Sequence, residues 1–154
     1  MKIAAGDPVR IVLDTSAAAN LVLATPQAER LVTVLDAAQL VLAPTLLHSE
    51  LANTLWKSVR FAGMPLDTAL SRYEEALSLV DEFVPDSQVM HQALQMAATH
   101  QHPVYDMVFL ALAQRYACRL LSTDSKLLAL AARIDPNLAV PLLGGGAPPI
   151  MPTP

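Results

Sequence analysis

The sequence predicts an α/β fold built on a central parallel sheet of about four to five short strands flanked by helices. Short apolar runs rich in β-branched and aliphatic residues recur along the chain, first at Val9–Leu13 and then at Gln39–Ala43. Such runs are typical of strands buried on both faces. Helical patterns of ten or more residues separate later runs, and crossovers of that length indicate parallel strands joined with right-handed connections.

The first half of the chain alternates strands with helices. Thr15–Leu23 has the pattern of a helix, and Pro26 opens a second helix through residue 38. Pro44 closes the second strand and is expected at the first position of a long helix that continues from Thr45 to about Phe61. That helix has an apolar stripe of Leu47, Leu51, Leu55 and Val59, and a polar stripe of Glu50, Asn53, Thr54 and Lys57.

The second half continues the alternation. A predicted helix at 66–80 is followed by a weak strand at 82–85 and by two helices at 86–100 and 104–117. A strand at 119–122, a helix at 125–133 and a short fifth strand at 138–143 complete the prediction. Asp86 is the expected cap of the helix that follows it. The helix at 104–117 is apolar nearly all round, which predicts burial on most sides. Residues 1–143 therefore form one domain, and the Gly/Pro-rich residues 144–154 are expected to form a flexible tail.

The composition limits the class of protein. Hydrophobic residues make up 53% and charged residues 16%, against about 25% charged in a typical soluble domain, so we expect a partner to cover part of the surface. The single Cys118 excludes an internal disulfide framework and a cysteine-based zinc site. No secretory signal and no apolar stretch of membrane-spanning length is visible, which predicts a cytoplasmic protein with no membrane partner.

Four carboxylates lie in unusual settings. Asp14 ends the first predicted strand and Asp124 ends the fourth, while Glu50 lies near the start of the helix that follows the second strand. The carboxyl ends of parallel strands share one edge of the sheet, where ligands usually bind, so these three residues are expected on one side of the molecule. Asp106 lies in the first turn of the most apolar helix and follows no strand directly, so this argument does not place it.

Each carboxylate also has a purely structural interpretation. Asp14 and Asp124 are well placed to cap the next helix, Asp106 would interact favourably with a helix dipole, and Glu50 would be an exposed helix charge. These separate interpretations do not explain why acids at distant positions in the sequence are expected at one edge of the sheet.

Clustered carboxylates repel by roughly 4 kcal/mol per close pair at an effective dielectric near 20. Cations or protonation must offset this repulsion, and ligands that are all carboxylates suit Mg²⁺ or Mn²⁺ rather than zinc. Such sites activate water for phosphodiester cleavage. The four acids alone account for the net charge of −4, so the acidic total does not exclude a nucleic-acid substrate.

The order and context of these motifs resemble the PIN domain and, more narrowly, the VapC toxins of type II toxin–antitoxin pairs. The resemblance extends over roughly Val9 to Arg133. It rests on Asp14-Thr15-Ser16, on "PTLLHSELANTLWK" around Glu50, on Tyr105-Asp106, and on "LLSTD" ending at Asp124.

The resemblance implies a Mg²⁺- or Mn²⁺-dependent endoribonuclease that cleaves RNA, often a structured tRNA or rRNA loop, with a metal-activated water held in an acidic tetrad. Asp14 and Asp106 would be the principal metal ligands, and Glu50 and Asp124 would complete the catalytic set directly or through water. The hydroxyl groups of Ser16 and Ser122 would orient the ligating carboxylates. Ser122 stands where the family more often has threonine. The family can also show a further acid after the last aspartate, where this chain has Leu127, Leu128 and Leu130.

The resemblance also implies protein partners. A cognate antitoxin would lay its C-terminal segment across the acidic pocket, and the toxin would form a homodimer or a larger toxin–antitoxin assembly. Lys57 lies two turns from Glu50 on the same helix face and is a candidate contact for an RNA phosphate, although an ordinary solvated face is slightly favoured as the explanation.

Other functions are less well supported by the residues. A PIN-like RNA-binding or scaffold module without catalysis would be favoured by the loss of one acid, and none is lost. A Mg²⁺-dependent phosphoryl-transfer domain would need a second early acid, where this chain has Ser16. His100 and His102 near Asp106 resemble part of a transition-metal site, but surface positions are favoured. Trp56 and Tyr73 are expected in the core rather than as base-stacking platforms.

Overall fold

A four-stranded parallel sheet forms the centre of the structure, a computed structural model that describes residues 9–142. The strands are β1 (Val9–Leu13), β2 (Ala38–Pro44), β3 (Glu82–Val84) and β4 (Arg119–Leu121), in the spatial order β3-β2-β1-β4. β1 is therefore paired on both sides, and its residues Ile11, Val12 and Leu13 are fully buried. The predicted α/β fold with a parallel sheet is confirmed.

Seven α-helices flank the sheet within residues 9–142. They are α1 (Thr15–Val22), α2 (Ala28–Asp36), α3 (Leu46–Ala62), α4 (Leu66–Leu77), α5 (Met90–His100), α6 (Val104–Arg115) and α7 (Ser125–Ile134), with one short 3₁₀ turn at Asp86–Gln88. α6 is buried from Met107 to Ala113 and packs against β1, β2 and β4. Its lack of an amphipathic pattern follows from this central position, since most of its faces contact other elements.

The predicted fifth strand is mostly absent from the described residues. A single bridge joins Leu120 to Ala139, where the N–H of Leu120 donates to Leu138 and the N–H of Val140 donates back to Leu120. The predicted domain boundary at residue 143 and the Gly/Pro-rich tail at 144–154 lie outside the described residues. No helix in residues 9–142 has the length and apolarity needed to cross a bilayer.

The prediction that Pro44 begins a helix is wrong. Pro44 is the last residue of β2 and pairs with Val84 of β3, and α3 begins at Leu46. Proline is tolerated there because the strand ends at that point, and the N–H of Thr45 supplies the next hydrogen bond, to the carbonyl of Val84 at 3.0 Å.

The prediction that Asp86 caps the helix after it is also wrong. Its Oδ1 accepts a hydrogen bond from the N–H of Leu46 at 2.9 Å, while its own N–H donates to the hydroxyl of Thr45 at 3.2 Å. Asp86 therefore caps α3, whose start lies beside it because β2 and β3 are paired. Only a tertiary contact distinguishes the two caps, so the local sequence pattern selects the wrong helix.

An apolar groove lies between α3 and α4 and has a volume of about 240 Å³. It is lined by Ala52, Leu55, Trp56, Val59, Leu66, Ala69, Leu70 and Tyr73. The expected burial of Trp56 is wrong, because its side of α3 faces this groove rather than the core, and 54% of the residue is exposed. Tyr73 is half-buried, as its Oη contacts His48 Nδ1 at 2.9 Å.

We expect Asp86→Ala to lower the free energy of unfolding by about 1 kcal/mol, the usual effect of removing a helix cap. The loss leaves the N–H of Leu46 without its acceptor at the start of α3. Urea unfolding followed by circular dichroism measures the change. Asp67→Ala is the matched control, because Asp67 is exposed in the first turn of α4. Equal midpoints for the two variants would contradict the role of Asp86.

Candidate active site

A cleft of about 410 Å³ opens at the carboxyl edge of the sheet. The structure brings all four sequence-predicted acids to it, since its lining comprises Asp14, Thr15, Ser16, Ala19, Asn20, Leu23, Glu50, Thr54, Asp106 and Asp124. None of these described lining residues is lysine or arginine. The cleft is therefore an acidic site without a basic side chain in its wall.

The sheet and three helix starts position the four carboxylates. Asp14 directly follows β1, and Asp124 lies three residues after the end of β4, the strand adjacent to β1. Glu50 is the fifth residue of α3, and Asp106 is the third residue of α6. Asp106, which the sheet-edge argument left unplaced, reaches the same cleft because α6 packs against the sheet and begins at this edge.

Asp14 is 95% buried and is held by hydroxyl groups rather than by the helix after it. Only 5% of the residue is exposed, and its Oδ2 accepts hydrogen bonds from Ser16 Oγ and Ser122 Oγ, each at 2.6 Å. Its side chain makes no capping bond to α1 within the described chain. Burial raises the pKa of Asp14 above 3.8, and the two serine hydroxyls partly oppose that rise.

The two serines also join the ends of β1 and β4. Ser16 Oγ and Ser122 Oγ lie 3.1 Å apart, and Ser16 Oγ accepts from the N–H of Thr123 at 3.0 Å. The N–H of Asp14 donates to the carbonyl of Leu121 at 3.0 Å. These contacts fix the carboxylate of Asp14 relative to the sheet.

Glu50 and Asp106 are half-buried carboxylates that repel their neighbours. Burial is the largest cause of the raised pKa of each. The charges of Asp14 and Asp106 raise the pKa of Glu50 further, whereas the Thr15 hydroxyl, which donates to Glu50 Oε1 at 3.0 Å, lowers it. His102 lowers the pKa of Asp106, and Asp14 and Asp124 raise it.

Asp124 has a structural role as well as a place in the cleft. Its Oδ1 accepts from the N–H groups of Lys126 and Leu127, at 2.9 and 3.1 Å, so it caps α7. The N–H of Asp124 in turn donates to Ser122 Oγ at 3.0 Å. The cap interpretation is thus right for Asp124 and wrong for Asp14.

The residues of the cleft fit a hard divalent cation. The donors are carboxylate and hydroxyl oxygens, which Mg²⁺ and Mn²⁺ prefer. A cation would favour the ionised form of Asp14, Glu50 and Asp106, whose pKa values burial raises, and would relieve the repulsion that raises those of Glu50 and Asp106 further. No three His, Cys, Asp or Glu side chains in residues 9–142 stand close enough to enclose one ion. The arrangement therefore suits a cation held by one or two carboxylates and otherwise hydrated, as Mg²⁺ usually is.

Sequence reasoning missed several polar residues of the site. Asn20 donates from Nδ2 to the carbonyl of Ser16 and to Thr123 Oγ1, both at 2.8 Å, and its Oδ1 accepts from Thr25 at 2.6 Å. Asn20 follows Ser16 by four residues on one helix, and this spacing was the signal in the sequence that the two side chains share a helix face. His102, expected simply at the surface, has its Nε2 3.4 Å from Asp106 Oδ2.

Comparisons with known proteins agree with the fold and identify a family. A model of the PIN domain family matches residues 11–133. The chain is 30% identical over 121 residues to ribonuclease VapC3 of Pyrobaculum aerophilum, covering 77% of this chain and 92% of that protein. Two crystal structures of other proteins share the fold.

The first is PAE2754 of Pyrobaculum aerophilum, with a TM-score of 0.64, 21% identity and 79% of each chain covered. The second is VapC20 of Mycobacterium tuberculosis, described as a sarcin-ricin loop cleaving toxin. Its TM-score is 0.61 at 16% identity, and the match covers 77% of this chain and 93% of that one. At these identities the two structures support the fold alone.

We expect the free energy of unfolding to fall as pH rises, less steeply in Asp14→Asn than in the unmodified protein. Because the folded-state pKa of Asp14 is raised, the folded state binds more protons than the unfolded state between pH about 4 and that raised pKa. Stability from this group is therefore lost as pH rises through the window. Thermal unfolding in EDTA, measured from about pH 4 upward, follows this loss, and parallel profiles for both proteins would contradict the burial of an ionisable carboxyl group.

We expect Thr15→Val to raise the pKa of Glu50, because valine removes the hydroxyl that donates to Glu50 Oε1. Thr15→Ser keeps a donor and is the matched control. Carbon-13 NMR titration of the glutamate carboxyl groups measures the pKa directly. An unchanged pKa in the valine variant would show that this hydrogen bond is not formed in solution.

Proposed function

Since this chain belongs to the PIN domain family, we propose that it is a metal-dependent endoribonuclease toxin of the VapC type, inhibited by a cognate antitoxin in the cytoplasm. The observation that carries the proposal is the cleft lined by Asp14, Glu50, Asp106 and Asp124 without a basic side chain among its described residues. The relative at 30% identity is itself named a ribonuclease.

Asp14 and Asp106 would hold the cation, Mg²⁺ or Mn²⁺, with Glu50 and Asp124 completing the set directly or through water. When bound, the cation would supply Lewis acidity to the phosphodiester and a water of lowered pKa. Ser16 and Ser122 keep the Asp14 carboxylate in one orientation through their two 2.6 Å hydrogen bonds. Loss of such supporting contacts commonly lowers metal affinity or activity by about 10- to 100-fold.

Glu50 is suited to proton transfer in this cleft. Burial and the neighbouring acids raise its pKa, and a carboxylate with a raised pKa is a more effective base near neutral pH. Thr15 fixes the position of one oxygen, Oε1, which leaves Oε2 to accept a proton from the attacking water. Hydrolysis of this kind needs no 2′-hydroxyl and no covalent intermediate.

The substrate we propose is a structured loop of tRNA or rRNA. One relative by fold is described as a toxin that cleaves the sarcin-ricin loop, and a loop offers unpaired nucleotides that can enter a cleft of about 410 Å³. Lys57 is exposed on α3 beyond the cleft and is the proposed contact for a phosphate.

The apolar groove between α3 and α4 supports the proposal of a protein partner. Leu66 and Leu70 are 62% and 55% exposed there, and exposed apolar patches of this kind mark interaction sites. We assign the groove to the antitoxin, because α3 carries residues of both the groove and the acidic cleft, so one bound chain can reach both. A homodimer or larger assembly of toxin and antitoxin would cover further surface.

The decisive experiment incubates purified protein, freed of co-purifying partners, with total cellular RNA and Mg²⁺ or Mn²⁺. We expect discrete fragments with the unmodified protein and none with Asp14→Asn or with EDTA, because both changes prevent cation binding. End mapping of the fragments identifies the cleaved loop.

Thermal unfolding supplies a readout that does not depend on cleavage. The cation at about 100 times its Kd stabilises the folded state by about 2.7 kcal/mol, roughly 5–10 °C in Tm for a chain of this size. Asp67→Asn, at an exposed acid outside the cleft, should keep both the cleavage and the shift. Intact RNA together with an unchanged Tm would instead favour a PIN-like module without catalysis.

A further inference from the structure

One face of α3 continues beyond the acidic cleft. Glu50, Thr54, Lys57 and Phe61 are spaced at i, i+4, i+7 and i+11, which places them along a single stripe of the helix. Glu50 and Thr54 line the cleft, whereas Lys57 and Phe61 are exposed beyond it. The rise of a helix separates the first and last of these residues by about 16 Å.

An aromatic cluster lies at the far end of this stripe. Phe61 is 72% exposed, and its ring centroid lies 6.0 Å from that of Trp56 in an edge-to-face arrangement. The guanidinium group of Arg60 lies 5.3 Å from the centroid of Phe61. Aromatic rings combined with a cation are the usual means of stacking unpaired bases.

The local charge fits the same ligand. In residues 51–62 the charged side chains are Lys57 and Arg60, both positive, in a protein whose net charge is −4. Positive charge is thus placed on the helix immediately after the acidic cleft, where a nucleic-acid backbone leaving the cleft would need it.

We propose that Trp56, Lys57, Arg60 and Phe61 form a platform that binds single-stranded RNA extending from the cleft. A base stacks on Phe61, and Lys57 and Arg60 contact the flanking phosphates. The identity of the ligand as RNA rests on the proposed function, whereas the geometry of the platform does not.

The platform is distinct from the apolar groove, although the two share an edge. Phe61 is not among the residues that line the groove, and Leu70 lines the groove without contributing to the aromatic cluster. A protein partner in the groove would depend on Leu70, whereas RNA on the platform would depend on Phe61 and Arg60. Variants at these positions therefore separate the two kinds of ligand.

Trp56 is the single tryptophan of the chain, so its fluorescence reports on the platform. The full-length Asp14→Asn protein is titrated with an oligoriboadenylate of about ten nucleotides, which this variant leaves intact. We expect quenching of Trp56 on binding. Adding Phe61→Ala should weaken the affinity by about 5- to 100-fold, and Phe61→Tyr should restore it.

Arg60→Ala should reduce the slope of log affinity against log salt by about 0.7, the value for one phosphate contact on a single strand. Leu70→Ala and Arg72→Ala, at exposed positions on α4, are matched controls and should bind like the parent. No quenching, or equal affinity with and without Phe61, would overturn the proposal.

A protein interface would give a different pattern. If Phe61→Ala and Leu70→Ala both convert a dimer to a monomer in light scattering while RNA affinity is unchanged, the platform is an interface between copies and the proposal is wrong. The titration requires no cleavage. Failure of the nuclease assay with intact Phe61-dependent quenching would therefore reject the proposed enzyme while leaving the platform supported.

Discussion

The desolvation of one carboxylate determines much of this structure. Asp14 directly follows the central strand β1 and is almost completely buried, and an ionised group in that position is unfavourable unless hydrogen bonds or a counter-charge compensate. Ser16 and Ser122 supply the hydrogen bonds, and in doing so they connect the ends of β1 and β4. Protonation or a bound cation must supply the rest of the compensation, because the described lining of the cleft contains no lysine or arginine.

The topology explains why the acids meet. β1 lies between β2 and β4, so the segments that follow these strands begin side by side at one edge. α3 brings Glu50 there after β2, and the turn after β4 brings Asp124. Each acid also has a local function, since Asp124 caps α7 and Glu50 accepts a hydrogen bond from Thr15. The site is therefore built from the same contacts that hold the helices on the sheet.

Sequence patterns predicted the strands, the parallel sheet and the residues of the cleft to the extent that local signals encode them. Asp14, Glu50 and Asp124 follow from the shared carboxyl edge of a parallel sheet, which needs no knowledge of packing. Asp106 was singled out by its setting in the most apolar helix, but only the resemblance placed it with the other three acids, because its position depends on how α6 packs against the sheet. The true partner of Asp86 depends on the pairing of β2 with β3, which a local pattern does not contain. The prediction that Trp56 is buried was wrong because a helix that lines an exposed groove and a helix that faces the core have the same spacing of apolar residues.

The position of Trp56 affects whether two ligands can bind to the molecule at the same time. Its ring forms one edge of the groove proposed for the antitoxin and one edge of the platform proposed for RNA. Ligands that compete for one ring are negatively coupled, and each must lower the affinity of the other by the same factor. A molecule already engaged with RNA would thus be harder to inhibit than a free one. The proposed antitoxin would then inhibit the RNA-free fraction of the protein first.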